Sequence, residues 1–308
     1  MPKQAPSIDV KRLRLLRELS TRGTISAVAE ALNFSPSSVS QQLATLEREA
    51  KVELIRKSGR GLQLTHEGEV LVSHASEIFA AIERAESALA ATLPEVTGTV
   101  RLAVFQTAAL ALLPRMLHSL RELHPLVRAI VVQREPETAL RETWARDFDL
   151  VVAEQYPGHA APHYEELDRQ PLVRDRIRLA VAEHSDISAF AKVTTLQDAA
   201  ALPWVMEPSG AASRHFAEQA CRSAGFEPDV RYETADLQAH VQLVESGNAV
   251  ALLPDLVWAT RRAAVKVHDL PGKPERELFT ARRHASENNP ATRAVREALE
   301  LAAKSLRH

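Results

Sequence analysis

The sequence of 308 residues contains a single cysteine, Cys221. One thiol excludes an intrachain disulfide and any metal site that needs several cysteines. Cys221 lies between Ala220 and Arg222 in a segment with a helical pattern, so we expect a buried packing residue. The alternative, a redox-sensing thiol, would require an exposed sulfur with a lowered pKa.

Long apolar segments are also missing. No stretch approaches the ~20 uninterrupted apolar residues that a membrane-spanning helix needs. The first seven residues are polar and have no apolar centre, which is unlike a secretory signal. We therefore expect a cytoplasmic protein without a membrane partner.

Sequence motifs for catalysis are absent too. There is no Gly-x-Ser-x-Gly turn and no phosphate-binding P-loop, and Gly59-Arg60-Gly61 lacks the third glycine of a dinucleotide fingerprint. His159 and His163 share a loop that contains glycine and proline, which is a poor scaffold for a metal pair. The sequence predicts no catalytic residue, no metal site and no cofactor, and we expect that the protein is not an enzyme.

The small net charge of −2 hides an uneven distribution of charge. Residues 1–66 hold 11 Lys and Arg against 6 Asp and Glu, a net charge of +5, whereas the remainder holds 27 against 34. A basic N-terminal segment on an acidic body is typical of a nucleic-acid-binding module joined to a second domain.

Two short helical patterns near the N-terminus, 24–32 and 35–50, are separated by a brief break. Ser35 is suited to cap the second helix, and Pro36 fits its first turn, where no backbone N–H is needed. The apolar residues of the second helix recur on one side: Val39, Leu43, Leu46 and Ala50. The pattern alone also fits an ordinary amphipathic helical hairpin.

The other side of that helix carries hydroxyl and amide groups, which suit base edges in a DNA major groove. Residues 54–64 then predict two short strands around a basic turn, a wing able to grip phosphates. The predicted DNA-binding residues are Ser35, Ser37, Ser38, Ser40, Gln41 and Thr45 on the helix, with Arg56, Lys57 and Arg60 on the wing.

A long helix is predicted from Thr65, which can cap it, to Ala91. Its apolar residues recur at alternating steps of four and three, which indicates a heptad seam. The predicted dimerisation residues are Leu71, Ala75, Ile78, Ile82, Ala85 and Leu89. Such a seam pairs two subunits or packs on its own domain; its place between two domains favours pairing.

From Thr97 onward, short β-rich runs alternate with helical ones, which predicts an α/β domain with mainly parallel sheets. Its length of about 210 residues favours two lobes. The predicted strands are 99–105, 127–133, 149–153, 177–182, 204–206, 230–232, 249–252 and 277–281. The predicted helices are 114–123, 138–146, 212–224, 237–246 and 290–306.

Ligands of open α/β sheets bind beyond the carboxyl ends of the strands, near helix N-termini. The candidates are Gln106, Thr107, Arg134, Glu135, Glu207, Ser209, Gly210, Thr234 and Asp236. Thr107 and Ser209 could hold a small anion, whereas Glu135 and Glu207 could repel one, so the charge of the ligand stays open. Each residue alone could simply cap a helix.

Three motifs resemble the LysR-type transcriptional regulators of bacteria: Ala27-Val28-Ala29, Val39-Ser40-Gln41-Gln42-Leu43, and Leu64-Thr65-His66-Glu67-Gly68. The resemblance extends over nearly the whole chain. The chain departs from the family pattern in four places: the family usually has Gln at Pro36, Phe at Ile55 and Arg at Lys57, and a Gly near Lys51.

The resemblance implies an N-terminal all-α winged helix-turn-helix over 1–66, a linker and dimerisation helix over 65–92, and an effector-binding domain over 97–308. That domain would be a two-lobed α/β fold like the type 2 periplasmic binding proteins. Lobe one would be 97–168 with 270–308, and lobe two 169–269. Crossings are expected near 167–171 and 268–271.

The implied function is regulation of transcription by sequence-specific binding to double-stranded promoter DNA. A small-molecule effector in the interlobe cleft would modulate it, and the protein would be a homodimer or homotetramer. The alternative is a solute-binding protein or an enzyme that uses the two-lobed domain without regulating genes. A further alternative is a DNA-binding protein whose cleft binds nothing.

Overall fold

The computed structural model describes residues 8–58, 61–183, 188–259 and 264–306. The chain divides into two compact units, Met1–Ala88 and Leu89–His308. Within the described ranges, no helix is both long and apolar enough to span a bilayer. Arg60, one of the predicted wing residues, lies outside the described residues.

The first unit is a helical domain with a two-stranded wing. Ser35 caps α3 by accepting a hydrogen bond from the Ser38 N–H at 3.1 Å, with Pro36 in the first turn, as predicted. Thr65 likewise accepts from the Gly68 N–H at 3.0 Å at the start of α4. The elements are α1 (Val10–Arg22), α2 (Ile25–Leu32), α3 (Pro36–Ala50), β1 (Ile55–Ser58), β2 (Gly61–Leu64) and α4 (His66–Ala91).

The α3 helix and the wing are tied together by one carboxylate. Glu47 of α3 accepts hydrogen bonds from the backbone N–H groups of Leu54 at 2.9 Å and Ile55 at 3.1 Å. The two wing strands pair antiparallel from Ile55↔Leu64 to Ser58↔Gly61. This anchor fixes where the wing begins relative to the polar face of α3.

The first half of α4 belongs to the core of this unit. Ala75 is fully buried among residues of α1, α2 and α3, and Leu71 packs against the same core. The prediction that Ala75 belongs to a dimer seam is therefore corrected, because it buries its apolar surface inside its own domain. Leu71 is half-buried, and its place in the seam stays a prediction. Ile78, Ile82 and Leu89 are 39%, 40% and 69% exposed, and Ala85 is exposed as well.

The second unit is an α/β domain. Each predicted strand and helix is found, and most ends are shifted by only a few residues. Two elements begin much earlier than expected: α5 at Gln106 and β6 at Leu167. Its elements are β3 (Gly98–Val104), α5 (Gln106–Leu123), β4 (Val127–Gln133), α6 (Pro136–Trp144), β5 (Leu150–Gln155), β6 (Leu167–Ala182), α7 (Ser188–Ala191), β7 (Pro203–Met206), α8 (Ala212–Ser223), β8 (Asp229–Glu233), α9 (Leu237–Glu245), β9 (Ala251–Pro254), β10 (Val265–Asp269), β11 (Glu275–Arg283) and α10 (Pro290–Lys304).

Its sheets are mixed. Strands order as β10-β6-β11-β5-β3-β4, with β9 also paired to β6 and a separate β7–β8 pair. The β3, β4 and β5 strands are parallel, and so are β7 and β8, but β6 pairs antiparallel with β9, β10 and β11. The expectation of mainly parallel sheets is wrong for the crossing strands, because β11 returns along β6 in the opposite direction.

The long strand β6 connects the two lobes. Its first half pairs with β11, which in turn pairs with β5, and its second half pairs with β9 and β10. The segment 167–171, expected as a crossing, is strand; Pro171 is tolerated there beside a register shift between Leu278 and Phe279. Strand β10, which contains His268 of the other expected crossing, was not predicted.

Gly68 is required by a close approach of α4 to the wing. A Cβ atom at this position would lie 2.2 Å from the carbonyl oxygen of Leu54, a backbone atom that cannot move aside alone. We predict that Gly68→Ala lowers the free energy of unfolding of the full chain by about 1–3 kcal/mol, as overpacking does. Chemical denaturation followed by circular dichroism measures the loss.

Gly61→Ala is the matched control, since its Cβ would meet nothing closer than 3.9 Å. Equal stability of the two variants would mean that the backbone at Gly68 relaxes without cost.

Candidate nucleic-acid interface and ligand pocket

The polar face of α3 is open to solvent. Ser37, Ser40 and Gln41 are exposed, and Ser38 and Thr45 are half-buried. The side chains of Ser40 and Gln41 make no hydrogen bond to any other described residue, so their donors and acceptors are available to an outside partner. This face therefore presents a hydroxyl and an amide on adjacent residues, the groups that hydrogen-bond base edges.

Two of the predicted α3 residues are occupied by local contacts. The Ser35 hydroxyl caps the helix and lies 3.0 Å from the Ser37 hydroxyl. Thr45 donates to the Gln41 carbonyl at 2.9 Å and accepts from Arg48 at 2.7 Å. The hydroxyl groups of both residues are therefore already hydrogen-bonded within the helix.

Basic side chains stand on the wing. Arg56 and Lys57 of β1 are exposed, so their charges can reach phosphates without desolvation. Arg12 of α1 differs: it donates to Gln42 at 2.9 Å and to Glu49 at 2.5 Å. These contacts join α1 to α3, a role that the sequence did not reveal.

A cavity of about 320 Å³ lies in the second unit, between the two lobes. Four of the predicted ligand residues line it: Glu135, Glu207, Ser209 and Gly210. The side chains that line it but were not predicted are Pro136, Glu137, Thr138, Glu154, His159, Ala161, Pro208, Ala211, Ala212, Ser213 and Ala235. Glu154 ends a predicted strand, so the rule that selected Glu135 could have found it; no sequence signal pointed to His159.

Three other predicted residues join the lobes instead of lining the cavity. Gln106 at the start of α5 donates to the Asp236 carboxylate at 2.8 Å and accepts from the Leu237 N–H at 2.9 Å. Asp236 also caps α9, and its own N–H donates to the Thr234 hydroxyl at 3.1 Å. This cluster is a polar latch between α5 of one lobe and α9 of the other.

The last two predicted residues are placed elsewhere. Thr107 is 1% exposed and accepts a hydrogen bond from Arg276 at 3.0 Å, so its hydroxyl does not face the cavity. Arg134 is exposed and pairs with Glu142 at 3.2 Å. Neither residue lines the cavity, which corrects their assignment as contacts in that pocket.

Arg276 of β11 is the buried cation beneath the cavity. It is 1% exposed and binds Asp175 of β6 through two nitrogens, at 2.9 and 2.7 Å. It also contacts Glu154 of β5 at 2.5 Å and lies over the Phe105 ring, 5.5 Å from its centroid. One guanidinium thus serves two carboxylates on two different strands.

The acidic groups around the cavity have raised pKa values. Burial raises the pKa of Glu154 to about 7; Arg276 opposes this shift, while Glu207 and Asp175 add to it. Burial also raises the pKa of Glu207, opposed by the Ser213 hydroxyl and increased by Glu135. The pKa of Glu135 is raised by burial and by Glu137. Each of these carboxyl groups therefore keeps its proton to a higher pH than it would in water.

Ring contacts join the segment after β5 to α8. The rings of His159, which lines the cavity, and His215 lie 5.5 Å apart between centroids. Tyr156 and Phe216 make a second such contact at 5.8 Å and belong to one hydrophobic core. The position of His159 at the cavity therefore depends on its contact with α8.

The raised pKa of Glu154 predicts a specific pH dependence. Between about pH 4.5 and 7 the folded chain keeps a proton on Glu154 that the unfolded chain releases, so this group's contribution to stability falls as pH rises through that window. Glu154→Gln removes the contribution, which is at most about 3 kcal/mol. The variant should therefore lose less unfolding free energy than the wild type between about pH 5 and pH 8.

Burial lowers the pKa of His240, which acts in the opposite direction, but that residue is present in both proteins and cancels in the comparison. Urea denaturation at several pH values measures the difference, with exposed Glu122→Gln as control. Parallel profiles for wild type and Glu154→Gln would show that Glu154 titrates at its ordinary pKa.

Two family models match the chain in sequence. The model described as "Bacterial regulatory helix-turn-helix protein, lysR family" matches residues 10–69. The model described as "LysR substrate binding domain" matches residues 94–303. Together they cover the helix-turn-helix with its wing and the α/β domain with its cavity.

Relatives agree over most of the length. The transcriptional dual regulator GltC of Bacillus subtilis is 29% identical over 262 residues, covering 84% of this chain and 86% of that protein. A probable hydrogen peroxide-inducible genes activator of Mycobacterium leprae is 30% identical over 246 residues, covering 79% and 76%.

Solved structures share the fold. A full-length OxyR variant from Pseudomonas aeruginosa has a TM-score of 0.67 at 16% identity and covers 97% of this chain and 95% of its own. Full-length CbnR in complex with its target DNA has a TM-score of 0.53 at 20% identity and covers 96% and 99%. The winged helix-turn-helix, the two-lobed domain and both family matches show that this chain belongs to the LysR family of bacterial transcriptional regulators.

Proposed function

We propose that the α3 helix reads promoter DNA and that the interlobe cavity holds the small-molecule effector that modulates this binding. The observation that carries the first part is the exposed Ser40 and Gln41 pair beside the basic wing. The proposed domains are 1–66, 65–92 and 97–308, with the lobes 97–168 plus 270–308 and 169–269. The site of action is the cytoplasm, where the promoter is found.

Base reading falls to the exposed α3 side chains that local contacts leave available. These are Ser40 and Gln41, since the exposed Ser37 hydroxyl lies 3.0 Å from that of Ser35. An amide can bind adenine through two hydrogen bonds. Arg56 and Lys57 provide phosphate contacts, which position the protein without reading sequence. Pro36 stands where the family usually has a glutamine, so the contact at that turn is lost and Gln41 carries more of the recognition.

The exposed half of α4 supports the pairing of two subunits. Ile78, Ile82 and Leu89 are large apolar side chains with 39–69% exposure, and they recur at heptad spacing with Ala85. The buried Ala75 and half-buried Leu71 hold the base of the helix in its own domain. We propose a homodimer, or a homotetramer built from it, in which only the exposed half of the seam makes the contact.

The cavity suits an effector because its walls come from both lobes. A ligand shifts an equilibrium only when it binds one arrangement better than the other. Contacts with Glu135 of one lobe and Glu207 of the other would depend directly on the lobe angle. The latch of Gln106 and Asp236 is the neighbouring contact that such a change would strain or relieve.

One relative is named for induction by hydrogen peroxide, but this chain is a poor peroxide sensor. Cys221, its single cysteine, is buried. Burial raises the pKa of this thiol to about 12, with Glu227 and Glu218 adding to the effect. Since the thiolate is the reactive form, we propose a bound effector and not thiol oxidation as the signal.

Gln41→Ala and Ser40→Ala test the base-reading surface. We predict that each variant keeps the wild-type fold but loses about fivefold to a hundredfold in affinity for its operator, the usual effect of one lost base contact. Electrophoretic mobility shift with DNA from upstream of its own gene measures the change. Gln242→Ala is the control, since it removes an exposed amide from α9 of the other unit. Unchanged binding by both α3 variants would refute the assignment.

Lys57→Gln tests the wing. A phosphate contact carries no sequence information, so we predict an equal loss of affinity for operator and unrelated DNA. The slope of log affinity against log salt should become shallower by about 0.9. Fluorescence anisotropy across a salt series measures this, with exposed Lys192→Gln as control. A loss confined to the operator would instead mean that Lys57 contacts bases.

A further inference from the structure

Acidic side chains from both lobes face the interlobe cavity. Glu135 and Glu137 flank the start of α6, Glu154 lies on β5, and Glu207 follows β7. Resting on the proposed function, in which this cavity holds the effector, we propose that the effector is a small organic cation carrying an ammonium or guanidinium group. The cavity defines the site, and the charge of its walls selects the ligand.

The buried Arg276 neutralises these walls only in part, although its charge opposes the rise in the pKa of Glu154 and of Glu207. It makes two hydrogen bonds to Asp175 and one to Glu154, so its single positive charge is already shared by two carboxylates. A ligand carboxylate would have to compete with both for the same guanidinium. A ligand cation instead adds the charge that this cluster lacks.

The other basic side chains near the cavity also lie close to carboxylates of this chain. Arg214 of α8 binds Glu218 at 2.5 Å and Glu233 at 3.4 Å. His159 lies 3.4 Å from Glu137. By contrast, Glu135 and Glu207 form no ion pair with any Lys, Arg or His in the part of the chain that the structure describes. The Glu207 carboxylate accepts a hydrogen bond from the Ser213 hydroxyl, and Arg214 donates only to the backbone carbonyl of Glu207, at 3.1 Å.

Glu135 and Glu207 repel each other across the cavity. Glu135 raises the pKa of Glu207, in addition to the larger effect of burial. These two residues belong to different lobes, so their repulsion opposes closure of the cleft. A cation placed between them would turn this repulsion into attraction to a shared partner, which gives the ligand a preference for the closed arrangement.

The size and donor geometry of the site favour an organic cation. A volume of about 320 Å³ is at the lower end of the range for small-molecule pockets, which suits an amine or guanidine of amino-acid size. No group of His, Cys, Asp and Glu among the described residues has the arrangement of a metal site. The carboxylates are therefore spread around a ligand-sized space.

One wall of the cavity differs in polarity. Ala211, Ala212 and Ser213, at the N-terminus of α8, line it with Ser209 and Gly210. Backbone N–H groups at a helix start attract negative charge, so a ligand with a carboxylate beside its cationic group could use this wall as well. Arginine and agmatine differ only by that carboxylate and thus separate the two contributions.

Thermal shift and isothermal titration calorimetry on the full-length protein test the proposal, with agmatine, arginine, cadaverine and lysine at millimolar concentration as probes. Succinate and glutarate are anionic probes of similar size. We expect at least one cationic probe to raise Tm and bind with measurable heat, and the dicarboxylates to do neither. Tighter binding of arginine than of agmatine would add the α8 wall to the site, and equal binding would assign recognition to the cation alone.

Glu207→Gln and Glu135→Gln locate the binding. Each keeps the shape of the side chain but removes its charge, and we expect affinity for the cationic probe to fall about tenfold to a hundredfold. Glu122→Gln, an exposed acid on α5, should bind as the wild type does. Equal effects in all three variants would mean general charge screening and would overturn the proposal.

Operator binding by the same protein samples separates this inference from the proposed function. If the operator is bound but no cationic probe binds, or if a dicarboxylate binds in their place, the cationic effector is refuted and the regulator stands. If operator DNA is not bound with sequence preference, the proposed function fails whatever the probes do. Retained operator binding by Glu207→Gln shows that loss of probe binding is not misfolding.

Discussion

The ion cluster of Arg276 is the constraint on which the effector domain depends. This guanidinium joins β11 to β6 through Asp175, to β5 through Glu154 and to α5 through Thr107. Removing one partner of a buried ion pair leaves a desolvated charge behind, so these elements must keep their register together. Glu154 of this cluster also lines the cavity, so the fold and the site share that residue.

The contacts farther from this cluster are of a different kind. The strands β6 and β11 are joined by the buried ion pair of Arg276 and Asp175, whereas hydrogen bonds and a ring contact join the proposed lobes elsewhere. Gln106 with Asp236, and His159 with His215, each join one residue of each proposed lobe. A ligand that bridges the lobes changes their angle only where it binds one arrangement better than another.

Features that depend on neighbouring residues were predictable from sequence, and features that depend on distant pairing were not. Ser35 and Pro36 determine where α3 begins, and its apolar spacing determines which face is exposed. The segment 167–171 was expected as a crossing between lobes, and its pairing with β11 as part of a long strand could not be read from the sequence. The spacing of Ala75 fits a seam between two subunits and fits equally well a helix face that packs inside its own domain, where the structure places it. Lys51 adopts a left-handed backbone with φ of 59°, a conformation that favours glycine.

The opposite charges of the two halves bear on how DNA and effector are coupled. Residues 1–66 carry a net charge of +5 and the remainder −7, so a polyanion is attracted to the first and a small cation to the second. The two ligands then do not compete for the same charges. Any influence of one on the other has to pass through conformation, and by linkage it acts equally in both directions: an effector that weakens operator binding is itself bound more weakly by the protein on DNA.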